Sequence, residues 1–425
     1  MRNPSAFFTW FLIITAIIFL IDWYVFQGIK TVTEKISSNK IKQIIYYAFW
    51  LTDIFIIAAI FFAFFLFRRS GNPPLFFFKI FGALILVIVP KLVFTLFLLT
   101  EDLFRLLHLL FDYIKSFFTP GDVTLDSRRK FISQTGLLVA SIPFAAIIHG
   151  MLIGKYKFRV IRQDLVFDNL PDAFDGFTIT QISDIHSGSF DNAEEVERGV
   201  KMANDQKSDI ILFTGDLVNN KSDEMLPWMD TFKKLSAPYG VYSILGNHDY
   251  GDYIQWDSEK EKNYNLEHLK KIEQQLGFRL LLNENVELKK GNDVISLIGI
   301  ENWGTGGFTK KGDLKKATHT VDDKLFKILM SHDPSHWDAQ VLTHDKHIDL
   351  TLSGHTHGMQ FGVEIPGIVK WSPVKYRYPQ WAGLYKEEDK HLYVNRGFGF
   401  IGFPGRVGIW PEITVITLKK KEKLV

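Results

Sequence analysis

A chain of 425 residues that is 47% hydrophobic and 15% aromatic is too apolar for disorder and long enough for more than one domain. Its formal net charge of only +2 supplies no global basic field and disfavours nucleic acid as a partner. The absence of cysteine excludes disulfides, thiolate zinc sites, iron–sulfur clusters and cysteine nucleophiles.

These averages conceal a division near Gly154. Residues 1–154 carry 14 Lys/Arg, 8 Asp/Glu and 24 of the 38 phenylalanines, whereas the remaining 271 carry 35 Lys/Arg and 39 Asp/Glu. This predicts a multi-span α-helical membrane region over 1–154 and a globular domain over 155–425. Four apolar stretches, 6–21, 44–67, 75–99 and 132–153, are each long enough to cross about 30 Å of hydrocarbon. Trp23 and Tyr24 follow the first as interface anchors, and Arg68 and Arg69 close the second.

Pro90 and Lys91 interrupt the third stretch and predict a kinked or partly re-entrant helix. Beyond it, Leu103, Leu106, Leu110, Ile114 and Phe117 recur at helical spacing, as in an amphipathic helix lying in the interface. Asp53 and Lys91 are ionisable groups within apolar spans, which marks them either as functional-site candidates or, the favoured reading, as a buried pair or snorkelling groups that position helices. Four spans place both termini on one side of a cell membrane. Basic residues are nearly balanced across the two sides, but Ser127-Arg128-Arg129-Lys130 before the fourth span resembles a twin-arginine export signal. That favours an extracytoplasmic globular domain.

From Arg159 onward, short aliphatic runs alternate with polar helical segments, the pattern of an α/β domain. Five runs end in residues able to bind metal. TITQIS leads into Asp184-Ile185-His186, IILFT into Gly215-Asp216, and VYSIL into Gly246-Asn247-His248. KILMS leads into His332, and DLTLS into Gly354-His355-Thr356-His357. Sites in open α/β sheets form beyond the carboxyl ends of strands, so these residues are expected on one rim. Imidazole and carboxylate ligands suit divalent Mn, Fe, Zn or Ni. Two such ions about 3.5–4 Å apart can clamp a phosphate and activate water.

The ordered set D-x-H, GD, GNHD, H and GHTH over roughly residues 160–418 resembles the calcineurin-like metallophosphoesterase superfamily, in its membrane-associated bacterial branch. The resemblance implies a four-layer α/β/β/α sandwich of two mixed sheets, with residues 286–300 and 392–418 supplying much of the second sheet. It implies that Asp184, His186 and His357 hold one metal ion, that Asn247, His332 and His355 hold a second, and that Asp216 bridges them. It further implies His248 as the group that protonates the leaving oxygen or stabilises charge, with Asp249 orienting it.

The expected activity is dinuclear hydrolysis of a phosphodiester or pyrophosphate bond by metal-activated water. Anchoring makes lipid-linked or envelope substrates plausible and membrane lipids neighbours, while the oligomeric state stays open. The alternatives are a phosphomonoesterase or protein phosphatase, and a non-catalytic metal-binding membrane protein. Three weaker signals accompany the motif. Residues 366–385 pack Trp371, Tyr376, Tyr378 and Trp381 beside Lys370, Lys375 and Arg377, suiting a lid, a membrane-facing surface, a platform for nucleic-acid bases or a structural cluster. Arg396 or Arg406 could meet a phosphate. His319, His336, His344, His347 and His391 fall outside the pattern and read as surface histidines.

Overall fold

In the computed structural model, which describes residues 4–70, 76–116, 129–365 and 367–422, the apolar N-terminal stretches are four helices. They are α1 (Pro4–Thr33), α2 (Asn39–Ser70), α3 (Phe77–Ser116) and α4 (Arg129–Leu152). Each is long and apolar enough to cross a membrane. The chain forms two compact units, Met1–His149 and Gly150–Val425.

In the first unit, the expected third span and interfacial helix are one continuous helix that runs through Pro90. No glycine or proline separates Leu99 from Leu103, and the polar residues there are absorbed by packing. Glu101 is buried, and Tyr24 of α1 donates to Asp102 Oδ2 at 2.6 Å. Leu75 and Phe117 of those expectations, and Ser127 and Arg128 of the twin-arginine-like run, lie outside the described residues. Val25, Phe94, Leu98 and Ala140 form the helical core. Gly28 permits this approach, since a Cβ there would stand 2.7 Å from the Phe94 ring. Lys91 donates to Asp53 at 2.5 Å, and also to Asp22 at 2.7 Å.

Among its described residues the second unit contains fourteen strands: β1 (Arg159–Phe167), β2 (Thr178–Ile182), β3 (Ile210–Phe213), β4 (Val241–Ser243), β5 (Phe278–Leu280), β6 (Glu284–Lys290), β7 (Asp293–Gly299), β8 (Phe326–Met330), β9 (Leu350–Ser353), β10 (Val363–Ile365), β11 (Val369–Trp371), β12 (Gly383–Glu387), β13 (Lys390–Val394) and β14 (Glu412–Lys420). One six-stranded sheet has the order β1-β14-β2-β3-β4-β5, and the other β12-β13-β9-β8-β7-β6. Both are mixed: β2, β3, β4 and β5 run parallel, as do β7, β8, β9 and β13, with antiparallel pairs at β14–β2, β6–β7 and β12–β13.

Side-chain alternation builds the layers. Leu212 of β3 and Leu297 and Ile328 of the second sheet enter the core between the sheets. Ile211 and Phe213 point the other way, onto Val196 and Val200 of helix Ala193–Asn204 and Leu269 and Ile272 of helix Glu259–Gln275. Ile298 and Leu329 point outward onto Leu314, Trp337 and Val341. The result is a four-layer α/β/β/α arrangement.

One assignment is corrected. The 412–420 segment belongs to the first sheet, where β14 lies between β1 and β2. Its Ile416 and Leu418 join the inter-sheet core while Ile413 faces the helices, so both faces of β14 are apolar as an interior strand requires.

Candidate metal centre

The five motif segments leave the carboxyl ends of β2, β3, β4, β8 and β9, so strand register delivers their side chains to one rim. Asp184, His186 and His357 form one group that could hold a metal ion, and Asp216, His332 and His355 form another. In the first, His357 Nε2 lies 3.0 Å from His186 Nε2 and 3.2 Å from Asp184 Oδ1. Two ligands at right angles on an ion with bonds of about 2.1 Å stand about 3.0 Å apart. In the second, Asn247 Oδ1 lies 3.2 Å from His332 Nε2 and 2.8 Å from His355 Nδ1. Asp216 Oδ2 lies between the groups, 3.5 Å from His186 Nε2 and 3.2 Å from His332 Nε2.

Backbone conformation aims these side chains at a local cost. Asp184, His186, Asp216, His355 and His357 all have left-handed φ, between 48° and 70°. For a non-glycine residue this costs on the order of 1–2 kcal/mol each. Hydrogen bonds hold the strain in place: Asp184 N–H donates to Gly215 O, His186 N–H to Asp216 O, and His355 N–H to Asp184 Oδ2. Gly246 and Gly354 serve close approach. A Cβ at either would stand 2.2 Å from a carboxylate oxygen, of Asp216 and Asp184 respectively.

Outer contacts set the inward-facing atoms. His332 Nδ1 donates to Thr214 O at 2.7 Å, which leaves Nε2 pointing at Asp216. Asn247 Nδ2 donates to the Tyr253 hydroxyl at 2.7 Å, which turns its carbonyl oxygen inward. The Tyr378 hydroxyl lies 2.8 Å from His355 Nε2 and donates to Asp333 Oδ2 at 3.3 Å, so Nδ1 faces Asn247. At His357 the contact has the other sense: Arg406 donates to Nδ1 at 3.1 Å. The Nε2 edge is thereby the one turned to His186 and Asp184.

The field favours positive charge. Burial works against ionisation of His332, but Asp216 and Asp184 overcome it and raise the imidazole to about 10. Burial also opposes charge on Asp216, yet His332, His248 and His186 hold its carboxyl well below the ordinary range. Two aspartates, four imidazoles and an amide oxygen on one buried rim are a donor set that fits divalent cations.

His248 is half-buried beside this rim. Its ring donates from Nδ1 to Asn219 O at 2.8 Å and packs 4.9 Å from the His186 ring and 4.4 Å from the Tyr253 ring. The expectation that Asp249 orients it is not met. Asp249 accepts backbone N–H bonds from Asp216, Leu217 and Gly246 at 2.8–2.9 Å, so it braces the two loops that carry Asp216 and Asn247. Burial, and then the charge of Asp216, raise its carboxyl to about 7.

Two further expectations change. Both arginines are spent inside the domain: Arg396 on Glu412 and Glu364, and Arg406 on the Gly397 and Gly399 carbonyls as well as His357. Two of the histidines read as surface residues are buried: His336 between Ser331 and Gln340, and His391 against the Phe167 ring. Asp333 and the Asn219 carbonyl were not anticipated as partners.

With this geometry in place, comparison with known proteins is decisive. The chain is 33% identical over 303 residues to the metallophosphoesterase YkuE of Bacillus subtilis, spanning 69% of this chain and 98% of that protein. The chain belongs to the calcineurin-like phosphoesterase family. Residues 177–359 match the calcineurin-like phosphoesterase domain, and residues 5–155 match the transmembrane domain described for probable calcineurin-like phosphoesterases. It is 28% identical over 295 residues to the phosphodiesterase YaeI of Escherichia coli, covering 69% of this chain and 99% of YaeI. It is also 28% identical over 267 residues to the UDP-2,3-diacylglucosamine pyrophosphatase LpxG of Chlamydia muridarum, covering 53% and 78% respectively. This phosphoesterase is therefore a membrane protein and a hydrolase of phosphoric esters.

Proposed function

We propose that the chain hydrolyses a phosphodiester or pyrophosphate bond with two divalent metal ions, drawn from Mn, Fe, Zn and Ni, on a substrate that includes a lipid-linked portion. The observation that carries this reading is Asp216 Oδ2, which lies within 3.5 Å of imidazoles from both ligand groups and suits a shared ligand. Asp184, His186 and His357 hold one ion, Asn247, His332 and His355 the other, and Asp216 both. When bound, such ions neutralise phosphoryl oxygens and lower the pKa of water.

The protein's own groups do the rest. His248, tethered through Nδ1 to the Asn219 carbonyl, keeps Nε2 to deliver a proton to the leaving oxygen. Asp249 keeps the Asp216 and Asn247 loops in register. The named activities of YaeI and LpxG support a diester or pyrophosphate over a monoester. The basic run at 128–130 supports an extracytoplasmic catalytic unit, which a reporter fused after residue 425 reads directly.

The test is hydrolysis by the detergent-solubilised full chain of an activated phosphodiester and its matching monoester, with Mn²⁺ and with chelator. The reading expects metal-dependent cleavage that favours the diester. Equal or greater monoester turnover overturns the diester assignment, and turnover that survives chelation overturns the metal roles.

A further inference from the structure

The β10–β11 hairpin is amphipathic in the opposite sense to a soluble domain. Its pairs are Val363 with Trp371, Glu364 with Lys370, and Ile365 with Val369. The charged pair turns inward: Glu364 binds Arg396 at 2.5 Å, and Lys370 donates to the Ala382 carbonyl at 2.5 Å. The apolar residues turn outward. Val363 and Ile365 are each 47% exposed, Val369 is 37% exposed, and Ile368 at the tip is 81% exposed. Tyr376, in the next turn, is 78% exposed with Lys375 over its ring. Presenting branched aliphatic residues on the outer face, while both charged side chains are drawn to partners on the other, costs a protein surrounded only by water.

The hairpin's base locates what covers it. Phe361 forms a bridge with Val407, secured by Val407 N–H to Gln360 O at 2.7 Å and Gly362 N–H to Val407 O at 2.9 Å. The adjoining Arg406 N–H donates to the carbonyl of Gly150, in the last turn of α4. Leu152 and Ile153, just beyond, are 72% and 58% exposed. The hairpin therefore stands one bridge and one hydrogen bond from Gly150, the residue that opens its own unit at the end of α4. Lys157 and Arg159 lie over Trp410 on the same segment, a basic and aromatic composition suited to headgroups.

We propose that the 363–371 hairpin docks into the interfacial zone of the leaflet from which α4 emerges. A second copy of the chain is the weaker fit, because four aliphatic side chains fall well short of the roughly 800 Å² per partner of a stable dimer. The hairpin follows His357 with only 358–362 between them, and Ser372 at its other end donates to Gly358 O at 2.8 Å. Docking therefore brings the ligand-bearing loop to the headgroups. On the reading of the site given above, that selects phosphoesters resident in the bilayer.

The chain has no cysteine, so one introduced at Ile368 takes a fluorophore selectively. Ile368→Cys and, as a control, Tyr264→Cys on the exposed face of helix Glu259–Gln275 are labelled in the full chain and reconstituted into phosphatidylcholine–phosphatidylglycerol vesicles containing spin-labelled acyl chains. The proposal expects the probe at 368 to be quenched several-fold more than the probe at 264. Equal quenching overturns it. Shielding of 368 from iodide that rises with protein concentration in detergent also overturns it, in favour of a second copy. Independently, Ile365→Ser with Ile368→Ser is expected to keep turnover of a soluble diester and to lose roughly tenfold on a vesicle-embedded one. Equal loss on both substrates counts against docking. If the unaltered chain cleaves neither substrate, the functional reading fails while the quenching comparison still decides docking.

Discussion

In the helical unit the Lys91 ammonium lies 2.7 Å from Asp22 and 2.5 Å from Asp53, so that buried set carries its own cation. In the catalytic unit Asp184 and Asp216 meet the imidazoles of His357, His186 and His332, and no lysine or arginine forms an ion pair with either among the described residues. Both sets are buried and both draw on different elements of the fold. The first is closed in that its cation is built in: removing Lys91 leaves two facing carboxylates uncompensated, which is how a buried ion pair specifies helix packing. The second concentrates donor atoms whose outer contacts are already committed to Thr214, Tyr253, Tyr378 and Asp333. A divalent ion completes a set of that kind, and left-handed backbone at five of its members is strain kept for function.

The comparison can be broken most strongly at the rim. His248→Gln is expected to lower turnover by about 10²–10⁴-fold, the usual worth of a positioned acid, with metal content by elemental analysis unchanged. Metal loss in this variant would make His248 a ligand instead. In the helical unit, Lys91→Met leaves two facing carboxylates without their cation and is expected to cost about 3–5 kcal/mol. A lowered denaturation midpoint of the full chain in mild detergent, with hydrolysis of a soluble diester retained, is the expected result. Parallel loss of hydrolysis would tie the two sets together.

Smaller effects sharpen the picture. Tyr378→Phe removes the hydroxyl linking His355 to Asp333 and is expected to weaken Mn²⁺ affinity by about 10–100-fold, read by titration calorimetry. Unchanged affinity would relegate Tyr378 to packing. Glu273, fully buried against Ser243, has its carboxyl raised well above the ordinary range by burial, with the charge of Asp249 adding to it. The folded state thus holds this proton more tightly than the unfolded chain. The contribution is present at low pH and is lost as pH rises from the unfolded value through the folded one. Glu273→Gln abolishes that loss and should raise the melting temperature above that of the unaltered chain at mildly alkaline pH, with little change near pH 4.

The rim of candidate ligands was legible as a cluster because its residues lie at strand ends, where a short β-branched run followed by Asp, Asn or His is a local pattern. The layers came from the resemblance and not from pattern: Ile211, Leu212 and Phe213 are all apolar, and only the fold sorts them between two cores. What escaped the sequence depends on long-range contact. Asp22 sits one residue past an apolar run, and nothing local says that α3 carries Lys91 to it. Asp249 stands next to His248 in the chain, yet its oxygens are claimed by backbone N–H groups of the Asp216 loop. Strand β14 could not be assigned to a sheet by its pattern, because both its faces are apolar. Tyr378 was visible as part of an aromatic segment, while its contact with His355 is set by the turn that follows the hairpin.

The contrast between a closed set and a cation-binding set rests on metal stoichiometry. The measurement is manganese per chain, by elemental analysis and electron paramagnetic resonance, on the purified full chain loaded with Mn²⁺ and desalted. Two ions per chain with an exchange-coupled signal, lost in Asp216→Asn, is the predicted result, matching the two ligand groups around one shared carboxylate. A single isolated ion, or none, in the unaltered chain would contradict it.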